Sequence, residues 1–171
     1  PWKKQSSLGE EAESQVKLAI RAVGLDNCAV NCDLIEKDGK VYVIEITGRA
    51  GATCLPETVG LYYGINYYEA IVRLALDMEP EKLDRAHPGK ASLSKILTSD
   101  RSGTVKAIRN ENAPAEDIVD LSFNIQPGDY VNQYRNGRDR IGQIILAGKE
   151  LQDCEDRLDE ILSKINIEFT V

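Results

Sequence analysis

The chain has 171 residues, 42% of them hydrophobic, which is enough apolar material for one sizeable core or two small ones. Acidic residues outnumber basic ones 28 to 21 for a net charge of −7, and no basic run appears, so a nucleic-acid backbone or an anionic membrane surface is a poor partner. No apolar stretch approaches the roughly 20 residues of a membrane span, and nothing near Pro1 reads as a signal peptide.

In chain order, Pro1-Trp2-Lys3-Lys4 opens abruptly for a native start, as expected of a piece of a longer protein. Ser6-Ser7-Leu8-Gly9-Glu10 predicts a helix start with Ser7 as cap and Glu10 three residues on. Val16, Ala19, Ile20 and Val23 then recur at helical spacing, and Gly24 stops the helix. Two alternating runs follow, Val30 to Ile35 and Val41 to Ile46, joined by Lys37-Asp38-Gly39-Lys40, which predicts a β-hairpin. Side chains switch faces at every residue, so Asn31 and Asp33 share one face, as do Val43, Glu45 and Thr47. An odd-numbered connection, for instance a three-residue loop with Gly39 in the left-handed conformation, makes those faces coincide. Asp33 and Glu45 then sit together, and two neighbouring carboxylates with hard oxygen donors suit Mg²⁺ or Mn²⁺. An even connection puts them on opposite faces and removes the argument. The competing reading is an ordinary solvated face of acidic residues.

After Glu45 comes the glycine-punctuated loop Gly48-Arg49-Ala50-Gly51-Ala52-Thr53. Arginine is the usual partner of a carboxylate or phosphate, because its planar fork binds two oxygens at once. Carboxylates, a divalent cation and an arginine at one strand mouth are the parts that phosphoryl transfer to a carboxylate requires. Asn66 to Asp77 predicts a helix burying Ala70, Ile71, Leu74 and Ala75. Tyr62, Tyr63, Tyr67 and Tyr68 lack basic neighbours, so packing is favoured over base stacking.

From Glu79 to Lys90 proline, charge and glycine predict a linker, with Glu81 to Arg85 as a solvated helical turn. Strands are predicted at Leu93–Leu97, Gly103–Ile108, Ile118–Phe123 and, most strongly, Arg140–Gly148, with a turn at Pro127-Gly128-Asp129. Glu150 to Ile165 is an amphipathic helix through Leu151, Cys154, Leu158, Ile161 and Leu162, and Ile165 to Val171 closes as a strand. The expected division is 1–78, a linker at 79–92, and a small α+β domain at 93–171. Arg135, Arg138 and Arg140 either hold a substrate carboxylate or, the favoured reading, belong to a charged hairpin loop and pair with local acids. Cys28 and Cys32 are expected as buried free thiols, the four cysteines suggest no disulfide framework, and the setting is a reducing cytoplasm. His87, in the linker, is given no role.

The run from Asp33 to Arg49, continuing through Leu55-Pro56-Glu57 and the helix after it, resembles the last catalytic segment of ATP-grasp enzymes. That superfamily includes biotin carboxylase, carbamoyl-phosphate synthase, D-alanine–D-alanine ligase and the L-amino-acid ligases. Its members carry an acidic residue on one strand and then a strand ending Glu-x-Asn-x-Arg. The resemblance implies an α+β chain comprising the C-terminal half of an ATP-grasp domain followed by a small strand-rich α+β domain. It implies that Asp33 and Glu45 are Mg²⁺ ligands bridging ATP phosphates, with Thr47, where the family has asparagine, as a further candidate at the cofactor. Arg49 is implied to steady the acyl-phosphate or the substrate carboxylate. The expected activity is formation of a C–N bond between a small-molecule carboxylate and an amine. The alternatives are an enzyme acting on bicarbonate, like carboxylases and carbamoyl-phosphate synthase, or a non-catalytic assembly or regulatory module keeping the hairpin as scaffold. The family's phosphate-gripping lysines and glycine-rich lid precede this segment and nothing here matches them. The resemblance therefore implies that the missing N-terminal part of the enzyme is a partner and that this chain alone is inactive. A homo-oligomer stays open.

Overall fold

The computed structural model describes residues 7–80 and 89–170. The expectations for Pro1 to Lys4, for the Glu81–Arg85 turn, for His87 and for Val171 fall outside them. The described residues divide into two compact units, 7–52 with 67–80 and 53–66 with 89–170.

In the first unit, helix α1 is described over Ser7–Val23, and the expectation of a cap at its start falls at the edge of the described residues. Val16, Ala19 and Ile20 are half-buried as the spacing predicts, but Val23 is exposed. The helix packs against the hairpin of β1 (Asn31–Lys37) and β2 (Lys40–Thr47), where Val41 is buried and its N–H donates to Glu11 Oε1 at 3.3 Å. The hairpin is closed by the two residues Asp38 and Gly39, both left-handed with φ of 53° and 72°. Two successive positive φ values define a type I′ turn, whose twist matches that of the strands, and glycine takes the second at no steric cost. The connection is therefore even-numbered, and a three-residue loop does not form. Helix α3 (Tyr67–Ala75) half-buries Ala70, Ile71 and Leu74, while Ala75 is exposed. Asn27 ties this helix down, its Nδ2 donating to Leu74 O and Asp77 Oδ1, both at 3.5 Å.

The second unit contains helix α2 (Leu55–Tyr63), an element the periodicity did not single out, and two three-stranded antiparallel sheets. One sheet has the order β3 (Ala91–Thr98), β7 (Arg140–Gly148), β5 (Ile118–Phe123). The other has the order β6 (Tyr130–Val131), β4 (Gly103–Asn110), β8 (Ile165–Phe169). Strand β7 is central and covered on both faces, which accounts for its unbroken apolar run: Ile144, Ile145, Leu146 and Ala147 are all buried. Helix α4 (Leu151–Ser163) packs on β3 and β7 and seats Cys154 and Ile161 against Leu97, Val105, Val131, Ile141, Ile144 and Leu146. On the other side α2 packs against β3 and β7, with Ser92 Oγ donating to Thr58 O at 3.1 Å. Tyr62 and Tyr63 of α2 meet edge to face at 5.0 Å, yet Tyr62 stays about half exposed, as does Tyr68 of α3.

The outer face of α4 carries a charge network in which Arg157 Nε donates to Asp117 Oδ2 at 2.7 Å, Arg157 also pairs with Glu160, and Lys164 Nζ donates to Glu160 Oε1 at 2.6 Å. Lys164 first and Arg157 second hold the Glu160 carboxyl down to about 2 from its ordinary 4.5. A carboxyl depressed by folding adds stability above its unfolded pKa and loses that contribution as pH falls toward its folded value. Glu160→Gln is therefore expected to lower the denaturant midpoint at pH 7 and to leave it unchanged near pH 2. Equal midpoints for the two proteins at pH 7 would show that the network contributes nothing.

Candidate functional site

The hairpin's ladder changes register between Asp33 and Leu34: Leu34 pairs with Val43, but Asp33 pairs with Glu45. Ile44 is the extra residue, a β-bulge. The two-residue turn alone would set Asp33 opposite Ile44 and send Glu45 to the other face. The bulge offsets this by one, so Asp33 and Glu45 are directly opposed, and Asn31 and Thr47 are opposed one step further along the same face. Directly opposed Cβ atoms lie about 4.5–5.5 Å apart, close enough for two carboxylates to share one cation. The same offset moves Val43 away from Glu45, to join Leu34 on the face toward α1.

The opposed carboxylates are exposed, on a face that also bares Ile35 and Tyr42 at 51% and 49% exposure. Asn31 Nδ2 donates to Asp33 Oδ1 at 3.3 Å, which leaves the amide oxygen of Asn31 available. Thr47 Oγ1 donates to Asn31 O at 3.5 Å. Asn31 was visible in the sequence as a same-face neighbour of Asp33, but the turn parity that brings it opposite Thr47 was not. Arg49 lies beyond the strand end, exposed, with Nη1 donating to Ala50 O at 2.7 Å. Asp33, Glu45 and Thr47 are thus brought onto one surface, while Arg49 folds back on its own loop.

Among the described residues no group of three or more His, Cys, Asp or Glu could hold a metal ion. A pair of carboxylates with a neighbouring amide still fits Mg²⁺, which usually takes one or two carboxylates and completes its octahedron with water and substrate phosphates. Cys32, on the α1 face, is half-buried, and burial first and Asp33 second push its thiol up. Cys28 is exposed, contrary to the expectation of burial.

Where α2 begins, Thr53 and Cys54 are both left-handed, with φ of 56° and 64°. A β-branched residue there is strained, and such strain persists only where the surroundings hold it. The Cys54 side is anchored: its buried Sγ donates to Gln143 Oε1 at 3.3 Å, Gln143 Nε2 donates to Asp120 Oδ2 at 2.6 Å, and Ser122 Oγ donates to the same oxygen at 3.1 Å. Burial, then Glu57 and Asp120, push the Cys54 thiol up, with Arg140 opposing them. The other buried thiol, Cys154, is also pushed up, by burial and then Asp153 and Asp117, so neither is poised as a nucleophile. This network spans residues 54 to 143, and no local sequence signal could have joined them.

Comparison with known proteins bears on the whole chain. Residues 95–170 match the family described as L-amino acid ligase C-terminal domain 2. No curated protein sequence gives a match. Among solved structures, phosphoribosylglycinamide synthetase from Anaerococcus prevotii is 40% identical with a TM-score of 0.92, over 99% of this chain and 44% of that one. L-amino acid ligase from Bacillus licheniformis is 21% identical with a TM-score of 0.84, over 100% of this chain and 43% of that one. The biotin carboxylase domain of Hydrogenobacter thermophilus 2-oxoglutarate carboxylase, solved with MgADP and bicarbonate, is 17% identical with a TM-score of 0.69, over 94% of this chain and 36% of that one. The last two likenesses speak for the fold alone. The architecture is thus the C-terminal half of an ATP-grasp domain followed by a small strand-rich α+β domain. The chain belongs to the ATP-grasp superfamily, and it spans less than half the length of the first two solved relatives.

Proposed function

We propose that this chain is the C-terminal part of an ATP-dependent ligase that joins a small-molecule carboxylate to an amine through an acyl-phosphate. The observation that carries the reading is the direct opposition of Asp33 and Glu45 on a bare strand face. Like charges set opposite each other destabilise a hairpin, so the pair makes physical sense when a cation lies between them. Asp33 and Glu45 would hold Mg²⁺ or Mn²⁺, with Asn31 and Thr47 as neighbouring oxygen donors. When bound, Mg²⁺-ATP supplies the phosphoryl group and neutralises the charge that builds on its oxygens. Arg49 would swing off Ala50 O to orient the acceptor carboxylate. The rest of the ATP grip would come from the remainder of the enzyme, and its docking would also cover Ile35 and Tyr42. Among the described residues no helix is long and apolar enough to cross a membrane. The four cysteines are free, which fits the reducing cytoplasm of this reading.

A second reading, a non-catalytic module that keeps the hairpin as scaffold, is favoured by the Arg49 guanidinium turning back on its own loop. Mn²⁺ binding followed by electron paramagnetic resonance separates the two. The catalytic reading expects weak binding by this chain that is lost in Asp33→Asn and in Glu45→Gln. Binding that is absent, or unchanged in both variants, would favour the scaffold.

A further inference from the structure

The arginines of the 135–140 loop do not pair with acids as expected. Among the described residues none of Arg135, Arg138 and Arg140 forms an ion pair. The reason is that the nearby carboxylates serve the backbone instead. Asp139 Oδ2 accepts from the N–H groups of Arg135 at 3.0 Å and Asn136 at 3.2 Å. Asp129 Oδ2 accepts from the Gln126 N–H at 2.9 Å. Asn136 Oδ1 accepts from the Arg138 N–H at 3.0 Å, completing a capping box on the short 3-10 turn Gly137–Asp139. These bonds fix the loop while leaving the guanidiniums out of them.

Arg138 and Arg140 line one cleft of about 300 Å³, and Arg135 does not. Asn124, Tyr130 and Asn132 add neutral donors, and the buried Val131 and Ile141 form its apolar base. Asn124 is itself fixed, its N–H donating to Ile141 O at 2.9 Å. The cleft is at the small end of ligand sites, too small for a nucleotide. Asp129 and Asp139 also line it, so its formal charge is balanced and it lacks the field that draws a polyanion. What its lining offers is two arginines whose guanidiniums form no ion pair among the described residues. A guanidinium fork matches two oxygens of a carboxylate or phosphate, and two forks on one short rigid loop can clasp a single small group.

We propose that Arg138 and Arg140 form a binding site for a small oxyanion, a carboxylate or a phosphate monoester. The site lies wholly in the second unit, shares no residue with the Asp33–Glu45 face, and stands independently of the reading given to that face. The test is a ¹H–¹⁵N NMR titration of the chain at constant ionic strength, first with inorganic phosphate and then with acetate. Saturable shifts are expected at the amides of Asn124, Asn132 and Arg138 to Arg140 with at least one of the two. Saturation by phosphate alone points to a phosphate ester, and saturation by acetate alone to a carboxylate. Arg138→Gln or Arg140→Gln is expected to weaken binding by roughly 10-fold or more, the loss of a charge-assisted hydrogen bond. Arg135→Gln should leave it within about 2-fold, because that side chain is outside the cleft. No saturation with either anion, or an equal loss in Arg135→Gln, overturns the proposal.

Discussion

Glu45→Gln is expected to lower kcat on the order of 100-fold to 1000-fold in the enzyme that contains this chain, the scale on which one preorganised electrostatic group contributes to charge stabilisation. The same change is expected to leave the fold intact and slightly more stable. Glutamine matches glutamate in shape, the side chain is exposed, and Asp33 directly opposite would no longer face a like charge. A gain of about 0.2–0.5 kcal/mol, seen as a higher denaturant midpoint, is the size such a cross-strand pair supports. Opposite signs for activity and stability mark a group kept for chemistry. A purely structural glutamate would give the reverse, normal turnover with unchanged or reduced stability. Steady-state kinetics and urea titration on one preparation decide it, and near-normal turnover would sink the site assignment.

Gly142→Ala is expected to cost about 3 kcal/mol, the upper end of ordinary overpacking. A Cβ at Gly142 would lie 2.3 Å from Ser122 O and 3.1 Å from Phe123 Cα, with Leu97 Cδ1 at 3.2 Å. The first two atoms are backbone of β5, so no rotamer change relieves them; β5 must move off β7. That movement strains the Phe123–Gly142 pairing and the hydrogen bond from Asn124 N to Ile141 O beside it. In a unit of roughly 100 residues the loss corresponds to a Tm lower by about 12–24 °C. Gly137→Ala is the control, since nothing lies within 4 Å of its added Cβ. Equal Tm values for the two variants would mean that the approach of β5 to residue 142 is not fixed.

Strands were the most legible parts of the chain. Strand β7, covered on both faces, announces itself by an apolar run that only a central position can hide, and the edge strand β5 fell on its expected residues, Ile118–Phe123. Helix α2 was not singled out because its Leu-Pro start and Tyr-Tyr end carry weak periodicity, and it is fixed by packing on β3 and β7. The two-residue strand β6 is defined wholly by its pairing with β4. At the candidate site, the residue types and the hairpin were readable, but their common face depended on turn length and a bulge. Helix termini misled for a simple reason. Val23 and Ala75 continue an apolar stripe to the last residue of their helices, and both are exposed there.

The bulge at Ile44 also sets how the hairpin tolerates insertions and deletions. Eleven residues separate Asp33 from Glu45, one more than the regular ladder and its two-residue turn accommodate. Removing Ile44 would straighten β2 and still leave the two carboxylates opposed, because the surplus residue is the one removed. Adding a residue to either strand has no such outlet and needs a second bulge or a longer turn. The hairpin therefore holds one residue of slack on the side of loss and none on the side of gain, an asymmetry that length variants of this segment should display.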